Sequence, residues 1–322
     1  MKLIPLFLVA MLQTWAIWPS IVHAADETAW HEATLPIAQQ RDIVSTNTGK
    51  TYRIFLYKPA GTAPAEGYPV IYVLDANTMF APLSMLVHGQ AQRRDATGVT
   101  PAIVVGIGYP TKGLLDEVAR AEDYTPPAPD LSNTGDARAP RQGGADKFLA
   151  FIENELKPQL QAELPINTAK QALYGHSYGG LFSLHVLFTK PEAFQTYIAS
   201  SPSIWWNQQY ILQERQKLVL PEQAGKRLLL MVGSLEQQTP INVANGEQRQ
   251  AHVQRRRMVE AATELVADLE GLPSSALDTH FYIQPGENHG SAMLTGTARA
   301  VEFFVGQRSF SSRDAKASAS KP

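Results

Sequence analysis

Leu173-Tyr174-Gly175-His176-Ser177-Tyr178-Gly179-Gly180 is the stretch on which the reading of this chain turns. Upstream, residues 169–173 read as an apolar-leaning strand, and downstream Leu181-Phe182-Ser183-Leu184-His185-Val186-Leu187-Phe188 continues at helical spacing. G-x-S-x-G between a strand and an apolar helix is a turn tight enough to hold its serine in a strained backbone conformation, with the hydroxyl exposed above the sheet. The first amides of the helix then face the same space, where they suit the negative charge that develops on an attacked carbonyl. Glycine is expected at 175 and 179 because a Cβ there would strike the facing helix and strand, and at 180 for close packing. The alternative is a structural serine in a glycine-rich turn; the flanking strand and apolar helix favour a nucleophile.

Outward from this turn, the apolar runs 69–74 and 102–107 suit strands buried on both faces, as in a parallel sheet. Helical patterns occupy 144–160, 178–189, 250–269 and 292–305, and further strands 196–199, 227–232 and 280–283. Residues 41–46 and 52–57, around Asn47-Thr48-Gly49-Lys50, read as a hairpin. The alternation predicts an α/β fold: a mostly parallel, doubly wound sheet preceded by an antiparallel hairpin. Residues 110–142 break the scheme, with Pro126, Pro127, Pro129, Pro140 and no sustained period. So long a connection is expected to be a substrate-facing loop or lid, the other reading being a solvated insertion.

A serine hydroxyl needs a base, and on this fold the order along the chain is Ser, then Asp or Glu, then His. His185 falls in the apolar helix, His252 among Arg and Gln on a solvated helix face, and His280 in a strand. His289, in the polar loop Pro285-Gly286-Glu287-Asn288-His289-Gly290-Ser291 between the last strand and the last helix, is the expected general base. Glu236 is the first carboxylate past the strand 228–232 and is the expected acid, with Glu287 and Asp278 as alternatives and a Ser–His pair without an acid also workable. The oxyanion donors are expected to be the backbone amide of Tyr178 and that of Ala76 or Asn77, after the strand ending at Leu74. Asp75 is read as ordering that loop, since a carboxylate beside an oxyanion would oppose the chemistry.

The 322 residues are 44% hydrophobic with a net charge of −2, enough for one large core and without a basic groove for nucleic acid. The run Arg255-Arg256-Arg257 reads as a solvated helix face. Lys2, the apolar run 3–21 and small residues at Val22 and Ala24 predict a signal peptide, 1–24, cleaved before Ala25; an uncleaved anchor is the alternative. The hydrolase domain is then 25–310, without membrane insertion after cleavage, and the Ser/Ala/Lys-rich tail 311–322 is expected to be disordered. The chain has no cysteine, which excludes disulfides and thiolate metal sites and fits a periplasmic location.

The set Leu74-Asp75-Ala76-Asn77, Gly106-Ile107-Gly108-Tyr109, Arg120 with Asp123-Tyr124-Thr125-Pro126, Gly175 to Gly180, Ser200-Ser201-Pro202-Ser203, Val232-Gly233 with Leu235-Glu236-Gln237, and Asn288-His289-Gly290-Ser291 resembles the esterase D-like branch of the α/β-hydrolases. Within it the sequence is most similar to the siderophore esterases that act on salmochelin and ferric enterobactin, over residues 41–305. The resemblance implies Ser177, His289 and Glu236 as the catalytic set, with Ala76 and Tyr178 as the oxyanion pair. It departs at Ala76, where relatives often carry Gly.

The resemblance further implies a secreted serine esterase that opens a catecholate siderophore trilactone and needs no cofactor or metal. A bulky anionic ligand calls for cations and aromatics, and Arg120, Tyr109, Tyr124, Trp205 and Trp206 are the candidates. The other reading has the tryptophans packing the loop after Pro202 and Arg120 paired with Asp123. The alternatives are a general carboxylesterase or thioesterase for small acyl esters, and a non-catalytic periplasmic binding protein on a hydrolase scaffold.

Overall fold

Strands too apolar to face water on either side set the architecture of the chain. Every residue of Tyr68–Leu74 and of Ile103–Gly108 is buried, as strands covered by helices on both faces must be. The computed structural model describes residues 30, 33–239 and 244–306, so the expected signal segment and tail lie outside the described residues. The chain divides into a short unit, Met1–Leu35, and a large one, Pro36–Pro322, which holds every element below.

The strands are β1 (Ala38–Val44), β2 (Thr51–Tyr57), β3 (Tyr68–Leu74), β4 (Ile103–Gly108), β5 (Ile166–His176), β6 (Thr196–Ser200), β7 (Lys226–Gly233) and β8 (Leu277–Gln284). They form one sheet in the order β1-β2-β4-β3-β5-β6-β7-β8. β1 and β2 pair antiparallel, with Arg41 opposite Ile54, and β2 pairs antiparallel with β4; all later pairings are parallel. The helices are α1 (Ala76–Ala91), α2 (Arg94–Thr97), α3 (Glu117–Asp123), α4 (Ala145–Phe151), α5 (Lys157–Glu163), α6 (Tyr178–Thr189), α7 (Trp206–Gln209), α8 (Ile211–Lys217), α9 (Gly246–Arg256), α10 (Met258–Leu269) and α11 (His289–Val305). This is the α/β-hydrolase arrangement predicted from the sequence, hairpin included. Because β3 leads through α1 to β4 on one side while β5 lies on its other side, the chain reverses direction between β3 and β5. Ligands of open α/β sheets bind at such a reversal, beyond the strands' carboxyl ends.

Three expectations need correction. The helix over 144–160 is α4 and α5 joined by a π-helical turn, Ile152–Leu156. The helix over 250–269 is two helices that break at Arg257, which sits at φ 46°. The break follows composition, since α9 buries nothing whereas α10 buries Met258, Ala261, Leu265 and Leu269. The segment 110–142 contains a helix, α3, capped by the Asp116 carboxylate accepting from the Ala119 amide at 2.9 Å. Its remainder is tied down: the Asn207 amide donates to the Thr134 carbonyl at 2.9 Å and the Tyr178 hydroxyl to Asp136 Oδ2 at 2.8 Å.

Helix α6 is largely apolar and buried all round, from Tyr178 to Phe188. The three glycines at its start play unequal parts. A Cβ on Gly175 would lie 2.1 Å from the Gly179 carbonyl oxygen, and one on Gly180 would lie 2.9 Å from that of Ser200. A Cβ on Gly179 would meet only ordinary contacts, 3.5 Å from Leu74, so steric need at 179 is overturned. Gly175→Ala is therefore expected to lose several kcal/mol of stability through a backbone clash. Gly179→Ala should be neutral or gain up to about 1 kcal/mol of helix propensity; urea denaturation of the two variants checks the contrast.

His185, placed by the sequence in the apolar helix, is buried on α6 between two carboxylates. Its Nδ1 lies 2.8 Å from Glu214 Oε2 and its Nε2 3.1 Å from Asp146 Oδ1, so one ring joins α4, α6 and α8. Burial lowers its pKa, but hydrogen bonds and charge from Asp146 and Glu214 prevail and raise it to about 9. A raised pKa stabilises the fold fully below the ordinary value near 6.5 and loses that contribution as pH rises through about 9. The amount is on the order of 3 kcal/mol. The stability gap between wild type and His185→Gln, measured in urea, should narrow between pH 6 and pH 9.5.

Candidate active site

Strand ends deliver the site's side chains to one place. Ser177 follows β5 at φ 59° and ψ −117°, a conformation sparsely populated by any residue with a Cβ. Hydrogen bonds hold it there: the Ser177 amide donates to the Ser200 carbonyl at 2.9 Å, and the Ser203 amide donates to the Ser177 carbonyl at 3.1 Å. The hydroxyl oxygen lies 3.0 Å from His289 Nε2 and 3.4 Å from Ser203 Oγ.

His289 is the first residue of α11 rather than a loop residue. Asn288 caps the helix with its side chain, and Ser291 completes a capping box. The ring's Nδ1 is 2.6 Å from Glu236 Oε2. Glu236 lies just past β7 with its side chain fully buried, and its other oxygen accepts from the Gly233 amide at 2.7 Å and from Ser201 Oγ at 2.5 Å. With Nδ1–H donated to the carboxylate, Nε2 turns its lone pair to the serine hydroxyl, as a base must. The alternative acids are placed elsewhere: Asp278 pairs with Arg227 and His280 on the sheet, while Glu287 meets the β7 turn through its carbonyl, which accepts from the Leu235 amide. His176 lies beneath the base, ring centroids 4.8 Å apart, with Nδ1 3.4 Å from Ser200 Oγ. Burial, then the charges of His289 and Arg120, hold its pKa well below the ordinary value, so it stays neutral there.

Ala76 and Tyr178 are the first residues of α1 and α6, where an amide has no acceptor within its own helix. Register puts the ends of β3 and β5 side by side, Val73 opposite Tyr174. The alanine at 76 is accommodated by Gly106, on which a Cβ would come within 2.7 Å of the Ala76 Cβ. Bulk that the resemblance leads one to expect absent at 76 is thus removed from the facing strand.

Of the five residues expected to meet a ligand, four are built into the frame instead. Arg120 is buried and gives Nε and Nη2 to the two Asp75 oxygens, each at 2.8 Å, rather than pairing with Asp123. Asp123 accepts from Lys50 Nζ at 2.5 Å and from the hydroxyls of Tyr52 and Tyr109 at 3.0 Å each. Tyr109 is thereby interior; Tyr124 is wholly buried and receives the Asp75 amide on its hydroxyl at 3.2 Å. Trp206 is wholly buried with its indole N–H on Gln142 Oε1 at 2.5 Å. Trp205 is only partly buried, between the Tyr178 ring at 6.1 Å and the Arg256 guanidinium at 4.0 Å. Arg256 therefore is not solvated like Arg255. No local pattern announces the pairing, because its two partners are distant in sequence. Asp136, Ser201 and His176 were also missed as parts of the site, for the same reason. Among the described residues no group of three or more His, Asp or Glu side chains could hold a metal ion, and no helix is long and apolar enough to cross a membrane.

The sheet and the Ser177–His289–Glu236 relay define a serine hydrolase of the α/β-hydrolase class. Residues 45–269 match the family described as "Putative esterase", and the chain belongs to it. It is 40% identical over 277 residues to the ferri-bacillibactin esterase BesA of Bacillus subtilis, covering 84% of this chain and 91% of that one. To the siderophore triacetylfusarinine C esterase of Aspergillus fumigatus it is 38% identical over 260 residues, covering 77% and 84%. A crystal structure of the BES protein from Bacillus cereus superposes with a TM-score of 0.74 at 37% identity, over 87% of this chain and 98% of that one. The chain is a carboxylic ester hydrolase.

Glu236→Gln should lower kcat by about 10²- to 10⁴-fold with little change in KM, because it offers Nδ1 the wrong partner. Steady-state hydrolysis of a p-nitrophenyl ester measures the loss, and a change below tenfold would mean the base works without its acid.

Proposed function

We propose that this chain opens the ester bonds of a siderophore, with a catecholate trilactone as the preferred class, through an acyl-enzyme on Ser177. The observation that carries the chemistry is the unbroken relay from Ser177 through His289 to Glu236, at 3.0 and 2.6 Å, beside two helix-start amides. Ser177 Oγ attacks the ester carbonyl while His289 Nε2 takes its proton, and Glu236 stabilises the imidazolium. The amides of Ala76 and Tyr178 receive the charge on the carbonyl oxygen. The alkoxide then leaves with the proton from His289, and water, deprotonated by the same ring, releases the acyl group.

The substrate class is supported by the siderophore esterases to which the chain is similar, and by the groups packed around Tyr178, the residue after the nucleophile. There Trp205 carries the Arg256 guanidinium on its face, and the exposed Arg138 holds Asp136 at 3.1 Å. Aromatic and cationic surface of this kind suits an anionic aryl ligand. The protein acts in the periplasm, delivered by the segment 1–24, so the exported form should begin at Ala25 on N-terminal sequencing.

The test compares the ferric complex of a catecholate trilactone with a short-chain p-nitrophenyl ester at matched concentration. The expected result is a kcat/KM at least about 10²-fold higher on the trilactone, from about 3 kcal/mol of added transition-state binding. Linear product should be seen by mass spectrometry, and none with Ser177→Ala. Preference for the short ester would instead make this a general carboxylesterase.

A further inference from the structure

The structure assigns Arg120 a positioning role: one buried guanidinium fixes both of the backbone amides that face the developing oxyanion. This rests on the esterase reading of the site and names a residue that acts through others.

The direction of the Ala76 amide is set by Asp75, which sits at φ 50° and ψ 43° in the left-handed region. A residue with a Cβ keeps that conformation only when its surroundings over-determine it. They do so at both ends of Asp75. Its carboxylate is gripped by Arg120 through two parallel bonds of 2.8 Å, and its amide donates to the Tyr124 hydroxyl at 3.2 Å. A bidentate fork fixes orientation as well as distance, which a lysine ammonium cannot do.

The same guanidinium reaches the other donor. Its central carbon lies 5.5 Å from the ring centroid of Tyr178 and 5.5 Å from that of Tyr124. Tyr178 is secured at its far end by its hydroxyl on Asp136 at 2.8 Å. One side chain from α3 therefore touches the residue before one amide and the ring of the residue that carries the other. The pairing also resolves a charge problem, because an unpaired Asp75 carboxylate would oppose negative charge arising beside it.

Arg120 is poorly placed to bind substrate directly. Nε and Nη2 are committed to Asp75, Nη1 lies 3.8 Å from Glu117, and the residue is 6% exposed.

The test uses the full-length enzyme and two esters of one acyl group, one neutral and one anionic, with kcat expressed per Ser177 site titrated by a covalent inactivator. Tyr124→Phe removes only the hydroxyl that receives the Asp75 amide, and Arg120→Lys keeps charge but loses the fork. We expect kcat to fall at least about 10-fold in Tyr124→Phe and about 100-fold in Arg120→Lys, the range seen when oxyanion donors are lost or displaced. KM for both esters should stay within about twofold. Affinity for an aryl boronic acid, which becomes tetrahedral and anionic on Ser177, should fall in parallel, while affinity for the matching aryl carboxamide holds. If Arg120→Lys does not fold, Tyr124→Phe decides alone. Unchanged kcat per site in an active background overturns the proposal, as does a rise in KM confined to the anionic ester. A wild type inert toward both esters overturns the esterase reading and this proposal with it.

Discussion

A serine at φ 59° resists its own backbone, and much of the molecule's centre serves to keep it there. The turn closes only because Gly175 lets the Gly179 carbonyl approach where a side chain would stand. Gly180 lets α6 lie against the Ser200 carbonyl and Pro202. Two strand ends then brace the result. β5 leads into the serine, the carbonyl of Ser200 at the end of β6 accepts from the Ser177 amide, and the Ser203 amide donates to the Ser177 carbonyl. Strain at the nucleophile is thus offset by packing of an apolar helix and a fully buried strand on either side, where burial of large side chains contributes about 2 kcal/mol each.

Three buried carboxylates near the strand ends are each held by several partners. Asp75 has Arg120 and Tyr124 close by; Asp123 has a lysine and two tyrosines; Glu236 has an amide, a hydroxyl and an imidazole. Each of these carboxylates sits just past a strand end or on α3. Removing one partner from such a group is costly because the remaining charge stays buried. Such partners hold each carboxylate in place, and rigidity at a reaction centre is what allows fixed dipoles to act without rearranging.

The sheet was legible because its signals are local. Continuous apolar runs, a hairpin turn around Gly49 and the G-x-S-x-G turn each report their own conformation within a few residues. Ser177, His289 and Glu236 were legible because the fold fixes their order along the chain, and the structure brings these three together. The frame residues were misread for a different reason. Arg120, Tyr109, Tyr124 and Trp206 have the composition of a ligand surface, but whether an aromatic faces a cleft or the interior depends on partners far along the chain. Arg120 and Asp123 stand one helical turn apart, yet their bonds go to Asp75 and to Lys50. Arg256 was missed on the same ground, since its partner Trp205 lies on another element.

The relay draws on positions separated by 112 residues between serine and imidazole and by 53 between imidazole and carboxylate. Its last member enters at the start of α11, after the edge strand β8 has been laid down. A chain emerging from synthesis therefore carries its nucleophile long before it carries its base. Hydrolytic competence arrives only when the final helix docks, so turnover doubles as a gauge of whether the far edge of the sheet has been finished.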